Sequence, residues 1–472
     1  MSGTRLETKV MSLKDLLADH DLTIPVYQRP YSWTDQQVIP LMSDLYKAKK
    51  GDTLVMGSLI FHRNGSLTDI VDGQQRLTTF AILHRLLNTG ASNFLMKRPF
   101  RYLSAQENVR KNAALINDMI KKKGGGPELD FADIFFIVLY APDLDDAFAF
   151  FDSQNSRGKR LDDHEILKAH HLRYIADPAL AEDCAVKWQS LEKDPALKIG
   201  TLLGSILGRG RKWGRKEYRE LDIKKEFRSQ RIHRSDRSGY LMNRYQQAPL
   251  FRTWRYDPVS GKGLELFFDR HDGIYRSGSI LINDDALLSL PLQITQSLEG
   301  GESFFWFTQK YYQLYKQIIV GNKLGPFFRE LETNLKHFDH NTGTRYVHEL
   351  FVAAVIFYVD KFGHEEADYV LACLFFTCYH LRFKQPTVQY SSVYRYIREE
   401  HNPFALIERA GHPDYIVERC NVLLEGAYRE QNIKSNSIRE KMRISLFEDP
   451  EHAFFLGHRH LLPRSLSFLA RL

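Results

Sequence analysis

The residues best suited to binding or catalysis form a polar run, which directly follows an apolar segment typical of a β-strand. In IVDGQQRLTTF, residues 70–80, the pair Asp72-Gly73 separates Ile70 and Val71 from a helical pattern. The first turn of that helix carries two glutamines and an arginine. A helix start presents backbone N–H groups and the positive end of the helix dipole, which together favour anions. The segment therefore predicts an anion-binding turn between a strand and a helix.

These residue types suit a nucleotide, and they also suit an ordinary helix start. Arg76 could fork onto phosphate oxygens, while Gln74 or Gln75 could hold a ribose, a base edge or an attacking water. Gly73 permits an unusual backbone angle or the close approach of a ligand. In the alternative, Asp72 caps the helix and the polar side chains simply face water. The stretch by itself leaves both interpretations open.

A second cluster combines aromatic rings with an amide and a guanidinium. The segment IPVYQRPYSW, residues 24–33, contains Tyr27, Gln28 and Arg29 and two further aromatic residues. Its prolines rule out a regular helix. Planar rings beside a cation suit stacking on a base and contact with phosphate. The alternative is a loop that its aromatic residues pin onto the core.

A third cluster, FFDSQNSRGKRLDDHEILKAHHL, spans residues 150–172. Asn155 and Gly158 suit a tight turn that presents Arg157. These side chains could complete a polar pocket or serve only the turn. The histidines at 164, 170 and 171 lack the H-E-x-x-H spacing of a zinc site, so we expect a solvated helix face there and name no metal ligands.

Positive charge is concentrated in one segment of the chain. The formal net charge is +7, and residues 209–237 hold twelve Lys/Arg against five Asp/Glu, a difference of +7. Such a segment indicates a polyanion partner such as DNA, or else a solvated loop and helix. The DNA-binding candidates in this segment are Arg209, Arg211, Lys212, Arg215, Lys216, Lys224, Lys225 and Arg228.

Composition limits the class of protein. A chain of 472 residues with 43% hydrophobic residues can bury a sizeable core in two or three domains. Its four cysteines lack C-x-x-C spacing, and the start of the sequence lacks the apolar core of a signal peptide. The most apolar stretch, residues 369–381, is shorter than the ~20 residues of a membrane span. We expect a cytoplasmic protein that is not embedded in a membrane.

Local patterns predict the order of the elements. A helix over residues 10–20 has Ser12 as a plausible N-cap, and a strand over 53–63 enters a hairpin through Asn64-Gly65. A helix over 73–87 and a buried strand over 131–140 follow. From about residue 176, apolar residues recur at helical spacing. The fold class is therefore α+β, with an α/β domain over 1–175 and a mainly helical domain over 176–472.

The three clusters, in this order, resemble the amino-terminal domain of GmrSD-type modification-dependent restriction enzymes. The resemblance covers about residues 10–175 and implies a ParB/sulfiredoxin-like fold that binds and hydrolyses a nucleoside triphosphate with Mg²⁺. It implies a nucleotide pocket lined by Tyr27, Gln28, Arg29, Asp72, Gly73, Gln74, Gln75 and Arg76, and closed by Asn155 and Arg157. The base of the nucleotide stays open, because glutamine and arginine contacts serve any base.

A catalytic scheme follows from this resemblance. Arg76 and Arg29 would neutralise phosphate charge, and Asp72 would hold Mg²⁺ or orient water. Gln75 or Gln28 would place the attacking water. The catalytic candidates are thus Asp72, Gln75, Arg76 and Gln28.

The carboxy-terminal end differs from that of many relatives, which carry an HNH nuclease there. His452, His458 and His460 hint at such a centre, but only twelve residues follow His460. We therefore expect a DNA-sensing subunit of a two-component anti-phage system, with a nuclease on a partner chain and a homo-oligomer as a further option. The alternatives are a DNA-binding regulator that senses nucleotide without turnover, and a metal-dependent nuclease of ParB-like fold.

Overall fold

The computed structural model describes most of the chain in two compact units, residues 1–165 and 166–472. The described residues are 7–28, 30–88, 92–97, 103–144, 146–148, 150, 162–175, 177–217, 221–228, 253–257, 262–269, 274–281, 294–295, 298, 300–338, 342–364, 367–385, 387–398, 402–425, 441–442, 444–448, 454–464 and 466.

The first unit is a mixed five-stranded sheet with helices. Its strands are β1 (Glu7–Ser12), β2 (Leu22–Thr23), β3 (Leu54–Asn64), β4 (Leu67–Asp72) and β5 (Ile134–Ala141). Its helices are α1 (Leu13–Ala18), α2 (Asp35–Lys47), α3 (Gln74–Leu87), α4 (Phe94–Lys97) and α5 (Leu103–Lys123). The strand order is β1-β5-β3-β4-β2, with β3 parallel to β5 and antiparallel to β4. This architecture confirms the predicted α/β amino-terminal part.

Several local predictions for this unit are confirmed. Ser12 caps α1 by accepting from the Asp15 backbone N–H at 3.1 Å, although the helix starts at Leu13 and residues 7–12 are a strand. Gly65, at φ 63°, turns the chain between β3 and β4, as the Asn-Gly pair predicts. The predicted helix over 73–87 is observed as α3.

Strand β3 carries an irregularity that matters for the site. Its pairing with β5 shifts register between Val55 and Ser58, and Gly57 within this bulge has φ 89°. A β-bulge bends a strand and leaves local ladder groups without their usual partners. Carbonyl groups of β3 therefore turn toward the start of α3, while Phe61, Phe80 and Phe136 pack into the core beneath.

The second unit is mainly helical. Its helices are α6 (Asp163–Leu172, which begins in the first unit), α7 (Pro178–Lys193), α8 (Ile199–Thr201), α9 (Arg209–Gly214), α10 (Ile223–Phe227), α11 (Glu302–Tyr315), α12 (Gly325–Lys336), α13 (Thr342–Phe362), α14 (Asp368–Lys384), α15 (Tyr390–Arg398), α16 (Pro403–Arg409), α17 (Pro413–Leu424) and α18 (Phe454–Gly457). Helix α14 is buried all round from Val370 to Phe383, as expected for a central helix. All four cysteines are buried thiols. None of the helices within the described ranges combines the length and apolarity of a membrane span.

The sequence-based prediction missed a small sheet in this unit. Strands β6 (Thr253–Asp257), β7 (Lys262–Asp269) and β8 (Ile274–Leu281) form an antiparallel sheet in the order β6-β7-β8. A sequence signal for it existed, because Asp272-Gly273 is a hairpin dipeptide between two runs of strand-forming residues.

The expectation of a solvated face at His170 and His171 is wrong, because both imidazoles are buried. His171 Nε2 lies 3.0 Å from the Phe227 carbonyl oxygen, and its Nδ1 accepts from the Gly301 N–H at 3.3 Å. Its ring stacks on Phe304 at 3.9 Å between centroids. Burial lowers the pKa of His170 to about 2 and that of His171 to about 3, so both rings are neutral.

This burial predicts an acid-sensitive second unit. The folded pKa of His171 lies below the value in the unfolded chain, so its contribution to stability is complete above pH 6.5 and is lost as pH falls toward 3. Between pH 7 and pH 5 we expect this histidine to cost about 2 kcal/mol of unfolding free energy. His171→Gln removes the titration and should make that fall shallower in urea unfolding followed by circular dichroism.

The matched control is His364→Gln, which changes an exposed histidine of the same unit. It should reproduce the wild-type fall between the two pH values. An equal fall in His171→Gln would contradict the buried, neutral imidazole.

Candidate functional site

The junction between β4 and α3 is built around a glycine. Gly73 is the N-cap of α3 and has φ 94°, a backbone conformation that side-chain-bearing residues rarely adopt. A Cβ at this position would lie 2.1 Å from Leu59 Cδ2. The chain thus passes from buried strand to helix within one residue, and Asp72 ends the strand instead of capping the helix. The first-turn N–H groups of α3 have no acceptors within their own helix.

Arg76 joins α3 to the bulge in β3. Its Nη1 donates to the Met56 carbonyl at 2.9 Å, and its Nη2 donates to the Ser58 carbonyl at 2.6 Å. The Asp72 carboxylate lies 3.4 Å from Nη2. Burial lowers the pKa of Arg76, with the Asp72 charge opposing that shift. In the structure this guanidinium cross-links the scaffold, and its contact with phosphate stays a prediction.

Gln75 holds the aromatic loop that precedes α2. Its Oε1 accepts from the Ser32 N–H at 2.8 Å and the Trp33 N–H at 3.2 Å. Its Nε2 donates to the Pro30 carbonyl at 3.2 Å. Both ends of the amide are therefore bonded to the backbone of one loop. These contacts agree with the alternative interpretation of the second cluster, in which the loop is fixed onto the core.

A directed chain of hydrogen bonds supports the same loop from below. Asn112 Nδ2 donates to the Tyr31 hydroxyl at 3.0 Å, and this hydroxyl lies 2.8 Å from Thr79 Oγ1. Thr79 in turn donates to the Gln75 carbonyl at 2.9 Å. Tyr31 is fully buried, and burial raises its pKa. Sequence reasoning missed Thr79 and Asn112. The i,i+4 spacing of Gln75 and Thr79 could have indicated the first, but nothing local marks Asn112.

The remaining predicted pocket residues lie around the same junction. Gln28 Nε2 donates to the Val71 carbonyl at 2.6 Å. The Tyr27 ring packs 5.3 Å from that of Phe148, and Gln74 is almost fully buried. The structure thus gathers the first and second clusters at one strand–helix turn. Arg29, Asn155 and Arg157 lie outside the described residues.

In the basic segment, the structure places two predicted DNA-binding residues in the core. Arg211 is only 3% exposed, and its Nε donates to Glu226 Oε1 at 2.6 Å. Its Nη1 donates to the Ile294 carbonyl at 2.5 Å. Lys212 is also buried. Because a buried guanidinium needs a counter-charge and acceptors, Arg211 is drawn inward by Glu226 and not outward to solvent.

The other cations of this segment differ in exposure. Arg209 pairs with Glu349, and Arg215 Nη2 donates to Glu226 Oε2 at 2.6 Å. Lys216 and Lys225 are exposed, and Lys225 lies 3.6 Å from Asp222. Lys224 and Arg228 are partly buried. Among these pairs only Arg209–Glu349 uses an acid from outside the segment, because Glu226 and Asp222 are already counted in its excess of +7.

The Gln75 clamp generates a prediction about the loop. Gln75→Glu replaces the donor that faces the Pro30 carbonyl with an acceptor, so one contact becomes repulsive. We expect a loss of about 1–3 kcal/mol of unfolding free energy and faster chymotrypsin cleavage beside Tyr31 and Trp33. The control, Gln36→Glu, makes the same change at an exposed position of α2. If Gln75→Glu resists chymotrypsin like the control, the clamp does not hold the loop.

Two family models match the chain. Residues 13–172 match the family model of the GmrSD restriction endonuclease N-terminal domain, which confirms the resemblance carried by the three clusters. Residues 180–438 match a second model, described as a family of unknown function (DUF7834). No curated protein matches the chain. The chain therefore carries a GmrSD-type N-terminal domain and, since the second match spans more than half of its length, belongs to the DUF7834 family.

Proposed function

We propose that this protein is the nucleotide-hydrolysing, DNA-sensing subunit of a modification-dependent restriction system that defends against phage. The observation that carries the proposal is the match of residues 13–172 to the GmrSD restriction endonuclease N-terminal domain. In this proposal the first unit binds a nucleoside triphosphate with Mg²⁺, and the second unit engages modified DNA. A partner chain supplies the nuclease.

The β4–α3 junction suits phosphate binding through its backbone. The first-turn N–H groups of α3 and the helix dipole would receive the phosphates, while Gln75 and Arg76 keep the turn rigid. A glycine at position 73 lets a ligand approach the main chain closely. Gln75 and Arg76 would thereby hold the backbone N–H groups in position for phosphate. These groups would not need to reorganise when negative charge develops on the phosphates during hydrolysis.

Asp72 is the residue best placed for Mg²⁺. Its carboxylate ends β4 beside the helix start and is 27% exposed, with one oxygen 3.4 Å from Arg76. Mg²⁺ bound to a triphosphate needs only one or two protein carboxylates, since phosphates and water complete its shell. No group of three or more histidine, cysteine or acidic residues able to hold a metal occurs in the described part of the chain. The Mg²⁺ ion would therefore arrive with its nucleotide.

Gln28 is a better candidate than Gln75 for placing the attacking water. Both ends of the Gln75 amide are bonded to the loop backbone. Gln28 donates through Nε2 to the Val71 carbonyl, and its Oε1 makes no hydrogen bond to the described residues. That oxygen could accept from a water near the phosphates and orient it, as glutamine does in other nucleotide hydrolases.

A second candidate function is a regulator that binds nucleotide without turnover. The observation that favours it is that Arg76 and Gln75 are engaged by main-chain atoms. If those contacts persist with nucleotide bound, neither side chain would stabilise charge that develops on the phosphates. Binding would then depend on the backbone of the α3 start alone.

The first test of the proposed function is phosphate release from each of the four nucleoside triphosphates with Mg²⁺. It is run with and without modified phage DNA. Asp72→Asn keeps the size of the side chain and removes its charge, so we expect at least about 100-fold slower hydrolysis with the fold intact. The control Asp44→Asn changes an exposed aspartate of α2 and should leave hydrolysis unchanged.

The outcomes separate the candidates. Turnover in wild type that Asp72→Asn abolishes supports the hydrolase. Saturable nucleotide binding without phosphate release would establish the regulator instead. DNA cleavage by the isolated chain with Mg²⁺ or Mn²⁺ would favour the nuclease alternative.

A further inference from the structure

Two tyrosine rings and an arginine form a compact cluster in the second unit. The Tyr346 and Tyr390 rings lie 5.7 Å apart in an edge-to-face arrangement. The Arg209 guanidinium lies 5.5 Å from the centre of the first ring and 5.1 Å from that of the second. Helices α9, α13 and α15 supply one residue each, and both rings keep part of their surface exposed.

A second cation lies at the outer side of this cluster. Arg345 is exposed, and its guanidinium lies 5.9 Å from the centre of the Tyr346 ring. Arg209 and Arg345 therefore both lie near the Tyr346 ring, at 5.5 Å and 5.9 Å from its centre. Glu349 balances only Arg209. An anion beside Arg345 would balance a charge that no described residue pairs.

The arginines of α13 and α15 differ from those of the basic segment in their ion pairs. Arg209, Arg211 and Arg215 each pair with glutamate. On α13 and α15, three exposed arginines form no ion pair with any residue in the ranges that the structure describes. They are Arg345, Arg395 and Arg398. Helices α13 and α15 therefore carry positive charge that is available to a polyanion.

We infer that the surface formed by Tyr346, Tyr390, Arg209 and Arg345 binds a DNA strand with an unstacked base. Because the two rings are at 69° to each other, the base would stack on one of them, Tyr346. Arg345 would contact a neighbouring phosphate, and Arg395 and Arg398 would extend the positive surface along α15. This inference rests on the proposed function and assigns its DNA-sensing step to named residues.

The chemistry favours nucleic acid over an acidic peptide. Aromatic rings provide a stacking surface for any base, and guanidinium groups beside them add cation–π and phosphate contacts. An acidic peptide would use the arginines and leave the rings without a planar partner. A base that leaves its stack also exposes its edges, which is the state in which a modified base can be distinguished from an ordinary one.

Stacking of a base on Tyr346 is tested by measuring the affinity of the full chain for a fluorescent single-stranded DNA oligonucleotide. Tyr346→Leu removes the ring and should weaken binding about 5-fold to 150-fold. Tyr346→Phe keeps the ring and should bind like wild type. Circular dichroism melting of both variants checks the fold. Equal affinity of the Leu and Phe variants would overturn the stacking role of Tyr346.

The contact between Arg345 and a phosphate is tested by the salt dependence of the DNA-binding constant K. Arg345→Gln should reduce the slope of log K against log salt by about one, because one phosphate contact is lost. Arg409→Gln removes an exposed arginine of α16 in the same unit and should leave the slope unchanged. Identical slopes for the two variants would overturn the contact at Arg345.

Nucleotide hydrolysis measured on the same preparations separates this inference from the proposed function. DNA binding that none of these substitutions affects would overturn the surface but leave DNA sensing in place. Hydrolysis by a wild-type chain that binds no DNA would overturn both the surface and the DNA-sensing part of the proposed function.

Discussion

The first unit depends on the hydrogen bonds between the Arg76 guanidinium and the bulged strand β3. The bulge turns the Met56 and Ser58 carbonyls out of the sheet ladder, and burying such groups without donors would cost about 1–3 kcal/mol each. A long cationic side chain from α3 reaches both. Gly57 leaves room for it, since a Cβ there would lie 2.9 Å from Nη1. The start of α3 is thereby fixed against the sheet.

The fixed start of α3 in turn positions the loop before α2. Gln75 follows from the same turn and bonds the backbone of the loop before α2, and Thr79 one turn later extends the network to Tyr31 and Asn112. The polar residues that looked most suited to a ligand thus bind protein atoms. In the proposed site, the groups that would contact a ligand are then the N–H groups of the helix start, the Asp72 carboxylate and the Gln28 Oε1.

In the second unit, as at Arg76 in the first, a cationic side chain is bonded to protein groups. A guanidinium can be buried only with counter-charge and acceptors, so Arg211 is enclosed by Glu226, the Ile294 carbonyl and the rings of Phe227 and Phe307. Two cations of the basic segment, Arg211 and Lys212, therefore belong to the internal structure. Helices α13 and α15, where the sequence has no basic run, carry exposed arginines that form no ion pair with a described residue.

The sequence by itself determined those features that depend on a few neighbouring residues. These include the helix start at Gly73, the hairpin at Asn64-Gly65 and the Ser12 cap, and the ordered motifs also identified the family of the amino-terminal domain. Only the tertiary structure decided which atoms Arg76 and Gln75 contact, because their partners are main-chain carbonyl and N–H groups that every residue type supplies. It also decided that Arg209 meets Tyr346 and Tyr390, since residues on three helices far apart in sequence become neighbours only when the helices pack.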